Sequence, residues 1–349
     1  MQKFFDKYKI EDERIAVGVS GGADSLALVI KLAEIGKRVV ALTVDHALRK
    51  ESRIEAEYVA KIMFEHGIEH HILTWNEEKP KKGIEEAARR ARYGLLFDFC
   101  RSNNINILAV GHHLRDQAET FLLRLQRGSG VFGLSCMQPI SLRDGVKIIR
   151  PQLDMSPEDL KTYLLAKNIK WIEDPMNDDI DFARVRIRKF LPELKKIGID
   201  EKRLSDTAKI LANTRCFIQR QVDVFVENNV RWWGGIAASL SWNKLKDLDM
   251  EVSMPVLGQL LQEIGDADYY PEAVELARVL TETDKFKGCT LGKCELVIAA
   301  KRLWIIPQDT KNELMTRLNW DMFLKKFPMY KNAGLPYKVR RALWQGLEG

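Results

Sequence analysis

Two hydroxyls, two glycines and a carboxylate stand together in the stretch SGGADS at 20–25, as Ser20, Gly21, Gly22, Asp24 and Ser25, with Ala23 between them. Ahead of it, Ile15, Val17 and Val19 alternate with small residues, as in a strand covered on both faces. Behind it, LALVIKLA at 26–33 reads as a buried helix. A glycine pair at such a junction can take positive φ and lets an anion approach the main chain. The first amides of a helix lack intrahelical partners and lie at its positive end. The chemistry this suits is phosphate binding, with Ser20 and Ser25 adding hydroxyls and Asp24 holding the Mg²⁺ that travels with ATP. The loop has neither the lysine of GxxxxGK(S/T) nor the spacing of GxGxxG. A turn needed only for geometry is the competing reading, and the strand–turn–helix context disfavours it.

Two more strings carry reactive types. DHALRKES at 45–52 offers Asp45 and His46, although a charged loop leading into a helix gives much the same string. GHHLRDQAET at 111–120 offers Gly111, His112 and His113, then Asp116 and Glu119 three residues apart. That spacing puts both carboxylates on one helix face at its positive end. A metal, an ammonium group or a solvated capping role all fit the pair.

The elements that must position these groups alternate. Strands are expected over 38–44, 71–75 and 105–110, and helices over 48–67, 84–100 and 117–127. This predicts an α/β fold, a doubly wound and mostly parallel sheet with helices on both faces. Ligands of such sheets lie at the carboxyl ends of the strands, so Ser20, Asp45 and residues 111–113 should face one cleft. Ser156-Pro157 opens a helix, with serine capping and proline in its first turn. A basic helix is expected at 181–196; across 181–203 there are eight Lys and Arg against four Asp and Glu, enough to meet a polyanion. Beyond 198 the chain reads as mainly helical, over 203–229, 254–264 and 271–281. The exception is a hairpin of 289–299 and 302–306 that turns at Ala300-Lys301. The boundary is expected near 195–205, giving domains 1–198 and 199–349.

Length and composition fit these expectations. A chain of 349 residues, 46% hydrophobic and 30% charged, is long enough for two soluble domains. A net charge of +6 permits a polyanionic partner. The first residues, MQKFFDKYKIEDER, have no apolar leader, and no apolar run reaches membrane-spanning length. Cys100, Cys136, Cys216, Cys289 and Cys294 show no CxxC spacing, as expected of reduced thiols in a cytoplasmic protein.

Taken in order, VSGGADS, DHALRKES, GIEEAARRARY, GHHLRDQAET and LLRLQRGSG resemble the tRNA(Ile)-lysidine synthetases, within the N-type ATP pyrophosphatases that share the SGGxDS loop. IIRPQL, the W-x-E-DP-x-N turn at 171–177, Arg184-Val-Arg-Ile-Arg188 and FKGCTLGKCELVI fit as well. The resemblance is close over 1–195 and looser beyond. It implies an adenine nucleotide alpha hydrolase-like fold and two chemical steps. Cytidine O2 in the CAU anticodon of an isoleucine tRNA is adenylated, and the amine of free L-lysine then displaces AMP at C2. ATP would be bound by residues 20–25 with Gly111 and His112, and Mg²⁺ by Asp24 and Asp116. Asp24, Asp45, Asp116, Glu119 and Arg184 would be catalytic, with Asp45, Asp116 and Glu119 as the candidates for holding lysine. Arg184, Arg186, Arg188 and Lys189 would bind RNA, as would the C-terminal domain and its KNAGLPYKVRRALW string, for which an ordinary solvated terminus is the alternative. A homodimer is a further implication.

Three positions depart from the family pattern: Arg115 replaces an aspartate, Val185 an asparagine, and Gln152 a leucine. Arg115 should project away from the lysine pocket, toward phosphate. Two other functions compete. A tRNA thiolase should show cysteines near the ATP site, and a non-catalytic RNA-binding scaffold has no need of an intact SGGADS.

Overall fold

The computed structural model describes residues 1–349 except 12–13, 48–50, 78, 81–82, 174–182, 267–270, 283–285, 309–314, 332 and 349, and except the side chains of 51, 85 and 348. Parts of the DHALRKES string, the 171–177 turn and the start of the basic helix lie outside the described residues. The chain divides into two compact units, Met1–Ala212 and Asn213–Gly349.

In the first unit, α1 (Gln2–Tyr8) precedes β1 (Ile15–Gly18), α2 (Ala23–Glu34), β2 (Val39–Asp45), α3 (Glu51–Glu65) and β3 (Glu69–Thr74). Next come α4 (Ile84–Ser102), β4 (Ile107–Ala109), α5 (Leu114–Gln126) and the short α6 (Val131–Leu134). The hairpin β5 (Ile140–Arg143) and β6 (Val146–Ile149) follows, then α7 (Pro157–Ala166), α8 (Ala183–Lys196) and the start of α9 (Glu201–Asn229). The sheet order is β3-β2-β1-β4-β6-β5, parallel except for the antiparallel edge strand β5. Ile15 stands between Val39 and Ile107, which sets the register of the central three strands.

Both faces of this sheet are covered, as the apolar alternation requires. Ile15, Val17 and Val19 pack with α2, α3 and α7 through Leu26, Val59 and Leu160. Ala16, Leu108 and Ile148 meet Leu96, Phe97 and Cys100 of α4 on the other side. Each fully buried large apolar side chain among them contributes roughly 1.5–3 kcal/mol. Ser156 caps α7 by accepting from the Asp159 N–H at 3.1 Å. The division between units falls inside α9, not in the link before it. Leu204 and Ala208, in the opening turns of α9, are buried with Phe121 of α5 and Leu191 of α8, so this part of the helix belongs to the first core.

The second unit departs most from the sequence expectation. Helices α10 (Trp242–Lys246), α11 (Met250–Gly265), α12 (Ala273–Leu280), α13 (Arg317–Lys326) and α14 (Tyr337–Glu348) make it helix-rich. It also holds an antiparallel five-stranded sheet, in which the expected hairpin supplies only the last three strands. These are β7 (Arg231–Trp233), β8 (Ala237–Ser241), β9 (Gly288–Leu291), β10 (Cys294–Ala299) and β11 (Arg302–Pro307), in the order β7-β8-β11-β10-β9. Trp233, Trp304, Trp320, Phe323, Val339 and Leu343 form its aromatic core. From Tyr337 on, the C-terminal basic string is a packed amphipathic helix: Val339 and Leu343 are buried, Lys338 pairs with Glu295, and the Arg340 guanidinium lies over Trp320.

Candidate active site

The loop after β1 is held from three sides. Gly21 has φ of +88°, and a Cβ there would stand 2.7 Å from Ile172 Cδ1. The Ile172 N–H donates to the Gly21 carbonyl at 2.9 Å, so the segment around Trp171 crosses directly over the glycine. Ser25 Oγ donates to the Gly22 carbonyl at 3.0 Å and accepts from the Ser20 N–H at 3.1 Å. Ser25 is buried and ties the loop internally, whereas Ser20 is exposed beside the opening amides of α2. The two hydroxyls thus divide their roles, only Ser20 being presented outward. Those amides have no carbonyl behind them within the helix and point at whatever anion lies before it.

Gly111 closes the third side. A Cβ at this position would lie 3.1 Å from the Asp24 carbonyl carbon and oxygen and from Ser25 Cα. Only a glycine lets the end of β4 approach the first turn of α2 so closely. His113 then joins the two strand ends chemically. It caps α5, where its Nδ1 accepts from the Asp116 N–H at 3.3 Å and Asp116 Oδ2 accepts from the His113 N–H at 3.0 Å. This arrangement leaves Nε2 to carry the proton toward Asp24 Oδ2, 3.5 Å away. Burial pulls the His113 pKa down, but its contact with Asp24 and the charges of Asp116, Asp24 and Glu119 outweigh that and hold it above the ordinary value. Residue types and spacing alone make His113 a loop histidine; its place just past a strand end is the signal that points to the site.

His112 faces the opposite environment. Burial, assisted by the charges of Arg150, Arg89 and Arg184 and opposed by Asp116, lowers its pKa to about 4. It is neutral at pH 7, and its Nδ1 is sealed from solvent with no partner among the described residues. Arg89 and Arg184 act on Arg92 as well, so the same two charges bear on both His112 and Arg92. Arg89, Arg92 and Arg184 carry no ion pair among the described residues. Arg150 donates to the Gln138 carbonyl at 2.9 Å and to Ser141 Oγ at 3.0 Å. Of this group only Arg184 is a candidate from sequence; the arginines of GIEEAARRARY are visible there as a run on a helix.

Asp45 ends β2, is buried, and accepts from the Ala47 N–H at 2.9 Å. Glu119 is buried; its Oε1 accepts from Arg188 Nε at 2.8 Å, and its Oε2 has no partner among the described residues. Arg188 thus has an acidic partner and stays partly exposed; Arg184, Arg186 and Lys189 are exposed on α8. Arg115 does project away from the pocket, but onto acids: Glu158 at 2.5 Å and Glu201 at 2.8 Å. Among the described residues no three His, Cys, Asp or Glu side chains converge as a metal cage. Mg²⁺ accompanying a nucleotide needs only one or two carboxylates beside phosphate oxygens, and Asp24, at the loop and partly exposed, fits that donor set.

The PP-loop domain family matches residues 1–194. The tRNA(Ile)-lysidine synthase of Ruegeria pomeroyi is 35% identical over 294 residues, covering 83% of this chain and 70% of that protein. The enzyme of the same name from Bradyrhizobium diazoefficiens is 40% identical over 295 residues, covering 82% and 77%. The chain belongs to the tRNA(Ile)-lysidine synthase family. Among solved structures, the U34-tRNA thiolase NcsA from Methanococcus maripaludis with its [4Fe-4S] cluster matches with a TM-score of 0.52 at 20% identity, covering 60% of this chain and 77% of that one. That likeness shows the fold alone. Thiolase chemistry is not what the cysteines here favour: burial pushes Cys100 and Cys136 up to about 11, so neither is a ready thiolate. No helix among the described residues is long and apolar enough to cross a membrane.

Proposed function

We propose that this chain is an ATP-dependent ligase that joins free lysine to C2 of the wobble cytidine in the CAU anticodon of isoleucine tRNA. The observation that carries the reading is the Ser20–Asp24–His113 constellation beside a cluster of arginines, in a chain of this family. In the first step cytidine O2 attacks the α-phosphorus of ATP and pyrophosphate leaves. The opening amides of α2 and the Ser20 hydroxyl face the departing phosphates, where fixed dipoles act on charge as it develops. Arg89, Arg92 and Arg184 supply positive charge for the triphosphate and for the anticodon backbone. Asp24 would hold Mg²⁺, which neutralises phosphate charge when bound, and His113 fixes the orientation of that carboxylate.

In the second step the lysine amine attacks C2 and AMP leaves with the O2 oxygen. Lysine arrives as an ammonium ion with a pKa of about 10.4 and must be bound and deprotonated. Asp45 and Asp116 are the carboxylates assigned to it; Glu119 instead holds Arg188 and, through it, the basic face of α8. Arg184, Arg186 and Lys189 on that face meet tRNA phosphates, and the second unit adds to the tRNA surface. A cytoplasmic homodimer completes the reading, with light scattering as its check.

The test is incubation of the purified protein with a CAU-anticodon isoleucine tRNA transcript, labelled lysine and Mg-ATP. Stoichiometric lysine incorporation with release of AMP and pyrophosphate is expected, and Asp24→Asn should abolish pyrophosphate release while the fold persists. Pyrophosphate release without lysine transfer, or transfer of sulfur from a sulfide donor, would overturn the reading.

A further inference from the structure

Gln152 is a fully buried amide that neither phosphate binding nor lysine binding explains. It follows β6 on a short turn, and its own carbonyl accepts from the Met155 N–H at 2.9 Å. In the orientation that satisfies both ends of its amide, Nε2 donates to the Asp24 main-chain carbonyl at 3.1 Å and Oε1 accepts from the Leu28 N–H at 3.2 Å. Asp24 and Leu28 are the i and i+4 residues of the first turn of α2. One side chain therefore brackets the turn that carries the Asp24 carboxylate and the phosphate-facing amides.

The same turn is confined from elsewhere by Gly111, whose Cα approaches the same Asp24 carbonyl. The loop that holds Gln152 also reaches the other half of the site. The Leu114 N–H, at the start of α5 next to His113, donates to the Met155 carbonyl at 3.0 Å. Two residues before Gln152, Arg150 belongs to the positive group around His112. The 150–155 segment thus touches the first turn of α2, the cap of α5 and the arginine cluster, and Gln152 is the polar side chain it inserts against α2.

We infer that Gln152 is a positioning residue for ATP: it sets the height and rotation of the first turn of α2, and so the placement of the phosphate-binding amides and of Asp24 against His113. A leucine or methionine of similar volume fills the same space but can neither donate to Asp24 nor accept from Leu28. Without the amide the turn loses its side-chain anchor and is free to shift by about a few tenths of an ångström. The Asp24 carbonyl and the Leu28 N–H, four residues apart in α2, keep each other as helical partners when the amide is removed, so little stability is lost and the effect should fall on binding geometry. The inference deepens the proposed function, on which its consequence for adenylation rests.

The experiment compares wild type, Gln152→Leu and Gln152→Met in three measurements: melting temperature, tRNA affinity, and Mg-ATP affinity by calorimetry. The expected result is an ATP affinity lowered about tenfold, the scale for sub-ångström misplacement of binding groups, with melting temperature and tRNA affinity unchanged. Unchanged ATP affinity in both variants overturns the inference, as does an equal loss of ATP and tRNA affinity with a lowered melting temperature. Failure of both variants to fold also overturns it, since Gln152 would then be a folding determinant. ATP affinity needs no turnover, so this outcome is separable from failure of the ligase reading, which shows as absent pyrophosphate release in the wild type.

Discussion

Gly111→Ala tests whether the site depends on the close approach of β4 to α2. The added methyl would meet three main-chain atoms of residues 24 and 25 at 3.1 Å, where ordinary contact begins at 3.4 Å. None of the three is the end of a flexible side chain, so one backbone must retreat by about 0.3 Å. Overpacking of this kind costs roughly 1–3 kcal/mol, which for a domain of this size lowers the melting temperature by about 2–10 °C. Catalysis should suffer as well. If a 1 Å displacement costs about a hundredfold, a few tenths cost roughly threefold to tenfold in adenylate formation.

Gly94→Ala is the internal control, since it lies in α4 with open space where the added methyl would stand. There the substitution replaces a poor helix former and should stabilise by up to about 1 kcal/mol without touching adenylation. Thermal melts and single-turnover adenylation of the tRNA, read by release of labelled pyrophosphate, compare the two. Wild-type melting and adenylation in Gly111→Ala, or an equal loss in Gly94→Ala, would refute the dependence on close approach.

Three further outcomes are expected. Glu119→Gln should lower stability by roughly 1–3 kcal/mol, less than the 3–5 of a fully buried pair because Arg188 is 35% exposed; its lysine KM should stay normal, and a steep rise there would return Glu119 to the lysine pocket. Arg89→Ala and Arg184→Ala should each weaken tRNA binding and reduce the dependence of log affinity on log salt by about one unit for each phosphate no longer neutralised; unchanged slopes would make the cluster a nucleotide site alone. His70, whose Nε2 lies 2.9 Å from Thr43 Oγ1, has its pKa lowered by burial, and then by the charge of His71, to about 4. Its folded pKa lies below the unfolded value of about 6.5, so its share of stability is present above that pH and is lost as pH falls toward 4. Melting temperatures across this window should fall less steeply in His70→Gln, and parallel curves would remove His70 as the cause.

The first unit is legible in the sequence because its strands are apolar, alternate with amphipathic helices, and end on reactive residues. What escapes is mostly small or local. The β5–β6 hairpin turns at Asp144 and Gly145, both at positive φ, a DG turn signal that lies in a charged stretch. Strands β7 and β8 are joined through Gly234 and Gly235, again at positive φ, but their alanines and serines have no strong pattern. Side-chain pairing across distant segments is the other blind spot. Nothing in the spacing of Glu119 joins it to Arg188, 69 residues later, and nothing marks His113 as the link between Asp24 and Asp116.

The three departures from the family pattern lie in the same blind spot, and each finds its surroundings at long range. Val185 is buried on the face of α8 turned to the core, where an amide would need a partner of its own. Arg115 sits in the first turn of α5, where the helix dipole disfavours a cation. Burial disfavours its charge too, yet bonds to Glu201 and Glu158 hold its pKa above the ordinary value. The arginine thereby ties α5 to α7 and to the start of α9, a cross-link that an aspartate facing the same two acids would turn into repulsion. Gln152 in turn engages α2. Arg115 is thus paired within the scaffold around the cleft, apart from the contacts that join Asp24, His113 and Asp116, and all three departing residues bear on how the site is held.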